Sequence, residues 1–109
     1  MRIIAGPRLD WFEANALHLL CGSIYAVSPA SNRTGLRLSG PALPRLTGRE
    51  LPSEGMVTGS IEVPPDGQPI LLLADHPTVG GYPVIAVLAS ADVGVAAQLR
   101  PGDKISFAS

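Results

Sequence analysis

Charge of either sign is scarce in this chain. Eight basic and nine acidic residues leave a net charge of −1 over 109 residues, and charged side chains make up 16% of the total. There is no basic field to neutralise a phosphate backbone, so nucleic-acid binding is excluded as a main role. Aromatics are few as well, at 5%, so the core must be built from Leu, Ile, Val and Ala. The single cysteine, Cys21, rules out an internal disulfide and a cysteine-pair metal site. Flanked by Leu19 and Leu20, it reads as a small core residue. No apolar run approaches the ~20 residues that cross a bilayer, and residues 1–11 lack a signal-like apolar stretch. A cytoplasmic protein, with no membrane and no metal, is expected.

What the chain does have is punctuation: 12 glycines and 11 prolines, separated by short apolar runs. That spacing predicts many short strands in one domain. Residues 2–5 read as a strand stopped by Gly6-Pro7. Asp10 is placed to cap a helix over residues 11–20, ended by Cys21-Gly22. Strands follow at 23–27 and 35–40, where Leu36 and Leu38 face in and Arg37 faces out. Ile61-Glu62-Val63 leads to the double stop Pro64-Pro65, and Asp66-Gly67 marks a turn of hairpin character. Residues 70–74 and 84–88 are continuous apolar runs suited to strands covered on both faces. Ser90 is placed to cap a short helix over 92–99, and 104–107 closes as a strand. The sum is a mainly β, barrel-like domain with two short helices.

Polar groups concentrate between residues 52 and 83, on stiff turns around the apolar run at 70–74. Glu54 is either a solvated charge or, near Asp75, half of an acid–base pair. Asp75 and His76 follow the buried strand directly. Neighbours on an extended chain point to opposite sides, so one substrate would meet only one of them, and Asp75 is favoured. Gly80 and Gly81 leave backbone N–H groups open to a ligand oxygen, although a Gly-Gly pair is commonly only a turn. Tyr82 adds a hydroxyl and a flat face. Gln68, fixed between Gly67 and Pro69, could read a lactam or urea group. Arg33 could pair a carboxylate, with a plain surface arginine as the alternative. Neither a nucleophile elbow, a phosphate-cradling loop nor a zinc-protease helix motif is present.

In order along the chain stand Gly6-Pro7-Arg8, Asp10-Trp11-Phe12, Val27-Ser28-Pro29, and the run from Ser31 through Leu38. They are followed by Ser53-Glu54-Gly55, Gly59-Ser60-Ile61, Val63-Pro64-Pro65-Asp66-Gly67-Gln68-Pro69, Leu73-Ala74-Asp75, Gly80-Gly81-Tyr82-Pro83 and Gln98-Leu99-Arg100-Pro101-Gly102-Asp103. With these blocks the chain resembles the C-terminal part of the allophanate hydrolase subunit 2 family. That family includes the C-type subunits of 5-oxoprolinase and the KipA-like kinase-inhibitor antagonists, and it is similar to the carboxyltransferase region of urea carboxylase. Thr34 departs from the family's usual Met, and Val79 from its frequent Thr. Family members carry a long further segment ahead of this region.

The resemblance implies a cyclophilin-like closed β-barrel, here a single domain over residues 1–109. It implies part of an ATP-dependent 5-oxoprolinase that opens 5-oxoproline to glutamate. Two partner subunits are implied with it, one A-type and LamB/YcsF-like, the other B-type and KipI-like. The expected roles are carboxylate work by Glu54 and Asp75, and substrate binding by Arg33, Gln68, Gly80, Gly81 and Tyr82. No cofactor is expected on this segment alone; ATP belongs to the full complex. Two other readings stay open: a non-enzymatic regulator that binds a KipI-like kinase inhibitor, and a biotin-dependent carboxyltransferase domain whose biotin arrives on another domain. Uncovered barrel edges would favour self-association.

Overall fold

Alternating side chains on short strands give this chain two kinds of β surface, one sealed in a core and one left for other uses. The computed structural model describes residues 1–46 and 54–109, with only the backbone of Glu54 and Val79. Seven strands form one antiparallel sheet: β1 (Ile3–Ala5), β2 (Ile24–Val27), β3 (Gly35–Ser39), β5 (Ser60–Glu62), β6 (Ile70–Leu72), β8 (Val84–Leu88) and β9 (Lys104–Ser106). Their spatial order is β1-β8-β5-β6-β3-β2-β9. The sheet curls until its edges meet. Arg2 forms a parallel bridge with Ala108, and the Ile3 N–H donates to the Ala108 carbonyl at 2.8 Å. Two further strands, β4 (Glu54–Gly55) and β7 (Val79–Gly80), pair as a separate ribbon. The mainly β, barrel-like expectation holds.

One face of the sheet is the core. Ile3, Tyr25, Val27, Leu36, Leu38, Ile61, Leu71, Ile85 and Ile105 converge there, with Leu20 and Ala96 brought in by two helices, α1 (Ala16–Gly22) and α2 (Ser90–Ala96). Directly opposed residues share a face in an antiparallel pair, and the registers Leu36↔Leu71 and Ile61↔Leu71 follow from that requirement. The opposite face carries Arg37, Glu62, Ile70 and Leu72. β6 is buried on both sides, as its unbroken apolar run predicts.

The first helix starts later than its sequence suggests. Residues 9–11 form a single 3-10 turn, and α1 begins at Ala16 with Asn15, not Asp10, ahead of it. The cause is tertiary. Phe12 bridges Arg45 in extended form, the Glu13 N–H donates to the Pro44 carbonyl at 3.0 Å, and the Leu46 N–H donates to the Trp11 carbonyl at 3.0 Å. Phe12 and Glu13 are thereby taken out of helical geometry, and Trp11 and Phe12 are buried. Ser90 likewise does not cap α2; it is the first helical residue, and no side chain caps Ala89. The Asp92 carboxylate instead accepts the Arg2 N–H at 2.9 Å, tying the helix to β1.

Among the described residues, Tyr25 is the largest fully buried side chain. Its hydroxyl donates to the Pro41 carbonyl at 2.8 Å, and its ring lies 6.5 Å from that of Phe107. Burial pushes its phenol up to about 12. The unfolded chain ionises near pH 10, so the stability held in the neutral phenol is fully present below pH 10. It is lost as pH rises through the folded value. Tyr25→Phe is expected to cost about 1 kcal/mol at neutral pH, for the lost hydrogen bond. It should also remove about 1–2 kcal/mol of alkaline destabilisation, after allowance for solvent near the hydroxyl. Urea unfolding of both proteins at neutral and alkaline pH checks this: the gap must narrow as pH rises.

Candidate functional site

The face opposite the core holds two hollows that share a wall. The smaller, of about 170 Å³, has a floor of Ile70 and Leu72 and a rim that includes Asn32, Thr34, Arg37, Glu62 and Tyr82. The larger, of about 360 Å³, is lined by Ser28, Ser39, Asp66 and Gln68 among others. Arg37 and Ile70 belong to both. This arrangement follows from register. Ile70 stands opposite Arg37 on one side and opposite Glu62 on the other, so the three form one row across β3, β6 and β5. Strands sit about 4.8 Å apart, which places the cation and the carboxylate roughly 10 Å apart at Cα, with an apolar residue between them.

Glu62 sits beside an irregularity. Ile61 pairs Ala86 while Glu62 pairs Val84, so β8 carries one extra residue there. Such bulges re-aim side chains at the edges of sites. The Glu62 carboxyl is half-buried, and its pKa is raised above the ordinary carboxylate value by that burial. The positive charge of Arg37, and then that of His76, pull it the other way. Desolvation outweighs the two cations, so Glu62 holds a proton more readily than a surface glutamate.

The residues singled out from sequence spread over this surface. Tyr82, about two-fifths exposed, lines the smaller hollow. Gly80 is close by: a side-chain carbon there would lie 3.5 Å from a Glu62 carboxylate oxygen. Gly81 is exposed next to it. Gln68 lies in the larger hollow, and its side-chain oxygen already accepts the Gly40 N–H at 3.0 Å. Arg33 and Asp75 form an ion pair at 3.4 Å that is largely open to solvent. Arg33 lines a third hollow with Leu73 and Leu99, adjoining the smaller one at Asn32. The backbone of Glu54 pairs with Gly80; its side chain lies outside what is described. Asp75 is thus turned to Arg33, whereas the neighbouring His76 is the one that acts on Glu62.

Asp66 behaves as a turn residue, accepting the Gln68 N–H at 2.9 Å, with Gly67 at φ 78°. Arg100 to Asp103 is likewise a turn, closed by the Asp103 carboxylate on the Arg100 N–H at 2.7 Å. Among the described residues, no group of three or more His, Cys, Asp or Glu is arranged to hold a metal. Nor is any helix of theirs long and apolar enough to cross a membrane.

A family model, "Carboxyltransferase domain, subdomain A and B", matches residues 1–109. The chain belongs to that family.

The carboxyltransferase-domain chain is 41% identical over 107 residues to the C-type subunit of 5-oxoprolinase from Escherichia coli, covering 98% of this chain and 34% of that protein. It is 47% identical over 107 residues to the C-type subunit of 5-oxoprolinase from Haemophilus influenzae, covering 98% and 35%. It therefore spans about a third of the length of these curated relatives. Among solved structures, the K. lactis urea amidolyase superposes with a TM-score of 0.88 at 28% identity, over 98% of this chain and 7% of that one. The fold and the family resemblance read from the motif blocks are thus those of a carboxyltransferase domain.

Proposed function

We propose that this chain is part of the C-type subunit of a 5-oxoprolinase, the enzyme that opens 5-oxoproline to glutamate. The observation that carries the reading is the 41% and 47% identity to the C-type subunits of two bacterial 5-oxoprolinases, across nearly all of this chain. The domain works in the cytoplasm with two partner subunits, one A-type and LamB/YcsF-like, the other B-type and KipI-like. A lactam amide resists direct hydrolysis, and ATP in the full complex would supply the activation. The two joined hollows do not suit a triphosphate, because Glu62 and Asp66 share their lining with the single guanidinium of Arg37. ATP is therefore assigned to the rest of the full complex, and the role of this domain is to hold the substrate. Tyr82 lines the hollow used for it, with Gly80 and Gly81 next to Tyr82 in the chain. Gln68 lines the hollow joined to it, Arg33, paired with Asp75, lines the third, and the backbone of Glu54 pairs with Gly80.

The test is glutamate release from 5-oxoproline and ATP by the assembled subunits. Release should fall to background when the component that carries this chain is left out. Unchanged release without it, or none with all subunits present, would reject the assignment. A carboxyl-transfer role is the second reading, favoured by the family match and by the superposition on urea amidolyase. It predicts bicarbonate-dependent carboxylation of a urea-like acceptor, with biotin delivered by another domain.

A further inference from the structure

We propose that the hollow between Arg37 and Glu62 is the seat of a five-membered lactam that carries a carboxylate, and that these two residues set its orientation. The proposal rests on the 5-oxoprolinase reading and assigns the substrate to particular atoms. A cyclic amino-acid amide presents three surfaces: a carboxylate, an amide edge and a patch of ring methylenes. The row across β3, β6 and β5 offers a partner to each. Because the carboxylate-bearing carbon of such a lactam is bonded to the ring nitrogen, Arg37 and Glu62 reach over Ile70 from either side to adjacent positions on one ring edge. Arg37 pairs the carboxylate through its planar fork. Ile70, with Leu72 beside it, forms an apolar floor under the methylenes. The Glu62 carboxylate accepts the ring N–H, and Tyr82 stands over the ring from the rim.

The size agrees with this. A hollow of about 170 Å³ admits one small ring and little else. The Cα atoms of Arg37 and Glu62 lie two strand spacings apart, about 10 Å, a span that two long side chains can close from either side. Burial of the Glu62 carboxyl is costly unless something hydrogen-bonds to it, and a ligand N–H meets that need. Gly80 stands beside it: a side-chain carbon there would lie in ordinary contact, 3.5 Å from the Glu62 carboxylate oxygen. Free glutamate has lost the ring that lies on the Ile70–Leu72 floor, and it carries a second carboxylate that the single cation lining the hollow leaves unpaired.

The experiment is binding to the 109-residue chain, followed by backbone amide shifts in solution. 5-Oxoproline is added to ~10 mM, above the usual 1 μM–1 mM range of KM values. The amides of Arg37, Glu62, Leu72 and Tyr82 should shift together. Three probes each lack one feature: 2-pyrrolidinone has no carboxylate, N-methyl-5-oxoproline has no N–H, and glutamate has no ring. Each should bind about tenfold or more weakly than 5-oxoproline, a factor that corresponds to one lost polar contact. Arg37→Ala should weaken 5-oxoproline by a similar factor and abolish the distinction from 2-pyrrolidinone, while Arg37→Lys restores part of both. Glu62→Ala should abolish the distinction from the N-methyl compound. Dispersed amide spectra for each variant show that it is folded.

Shifts centred on another hollow, no shifts at all, or equal affinity for all four compounds would overturn the proposal. Glutamate release by the assembled enzyme separates it from the broader reading. Undiminished release with Arg37→Ala removes this seat and leaves the 5-oxoprolinase assignment standing. Absent release, with ligand shifts at the hollow intact, does the reverse.

Discussion

Gly6→Ala is expected to cost about 3 kcal/mol or more, which for a domain of this size lowers the melting temperature by roughly 12–24 °C. Gly6 follows β1 where the chain passes over β8, and its N–H donates to the Ile85 carbonyl at 2.8 Å. A methyl group there would stand 2.6 Å from the Val84 oxygen, 2.9 Å from the Ala86 nitrogen and 2.9 Å from the Ile85 carbonyl carbon. All three are backbone atoms of a strand held between β1 and β5, so no rotamer change relieves the contact. Either β1 lifts away, breaking the pairing of Ile3, Ile4 and Ala5 with β8, or β8 moves and carries its bulge with it. Val84 is the partner of Glu62, so the second course also disturbs the candidate site. Gly94 is the internal control. Nothing lies within 4 Å of a methyl group built there, and it sits inside α2. Gly94→Ala should stabilise by about 0.5–1 kcal/mol. Denaturant midpoints for the two variants decide the matter; a Gly6→Ala loss below about 1 kcal/mol would mean that β1 and β8 are not packed as described.

That close contact also shows why the strands were legible and the site was not. The run 84–88 reads as a buried strand from composition alone, and β8 is Val84–Leu88. The alternation of Leu36 and Leu38 with Arg37 gives both the strand and its faces, because a period of two is a local property. Helix α1 failed at its start because Trp11 and Phe12 are drawn toward residues 44–46, a long-range demand that outweighs the local capping signal of Asp10. The candidate site has the same non-local character. Glu62 is a carboxylate between two buried β-branched residues, and that pattern alone marks a charge on a strand. Its meaning comes from Ile70, eight positions later, and Arg37, twenty-five positions earlier, meeting it in register. Spacing along the chain contains no trace of that row. Gln68 shows the converse. Its fixed position between Gly67 and Pro69 is evident from sequence, but the Gly40 N–H that occupies its oxygen arrives from a different strand.

The sharpest separation of fold from function is expected along β6, between two adjacent leucines. Leu71 is fully buried in the core between Leu36 and Ile61. Leu72, about 4% exposed, points the other way and floors the smaller hollow. Leu71→Ala should cost about 3–4 kcal/mol, since close-packed strands on both sides cannot collapse into the vacancy. Leu72→Ala should cost less, about 2 kcal/mol, because the space it leaves opens into the hollow and water can fill it, so no closed cavity forms. On the proposed seating of 5-oxoproline, function should follow the opposite order. Below its unfolding temperature the Leu71 variant keeps the outer row of Arg37, Ile70 and Glu62 in place, and glutamate release by the assembled subunits stays within about threefold of the parent, less than 1 kcal/mol of transition-state stabilisation. The Leu72 variant loses apolar contact under the substrate ring, and KM for 5-oxoproline rises about tenfold, the worth of one to two methylene groups. Thermal midpoints and KM measured side by side test the crossing. Parallel losses in both variants would mean that the two faces of β6 do not divide the work, and that the hollow is only a consequence of how the ribbon of β4 and β7 lies on the sheet.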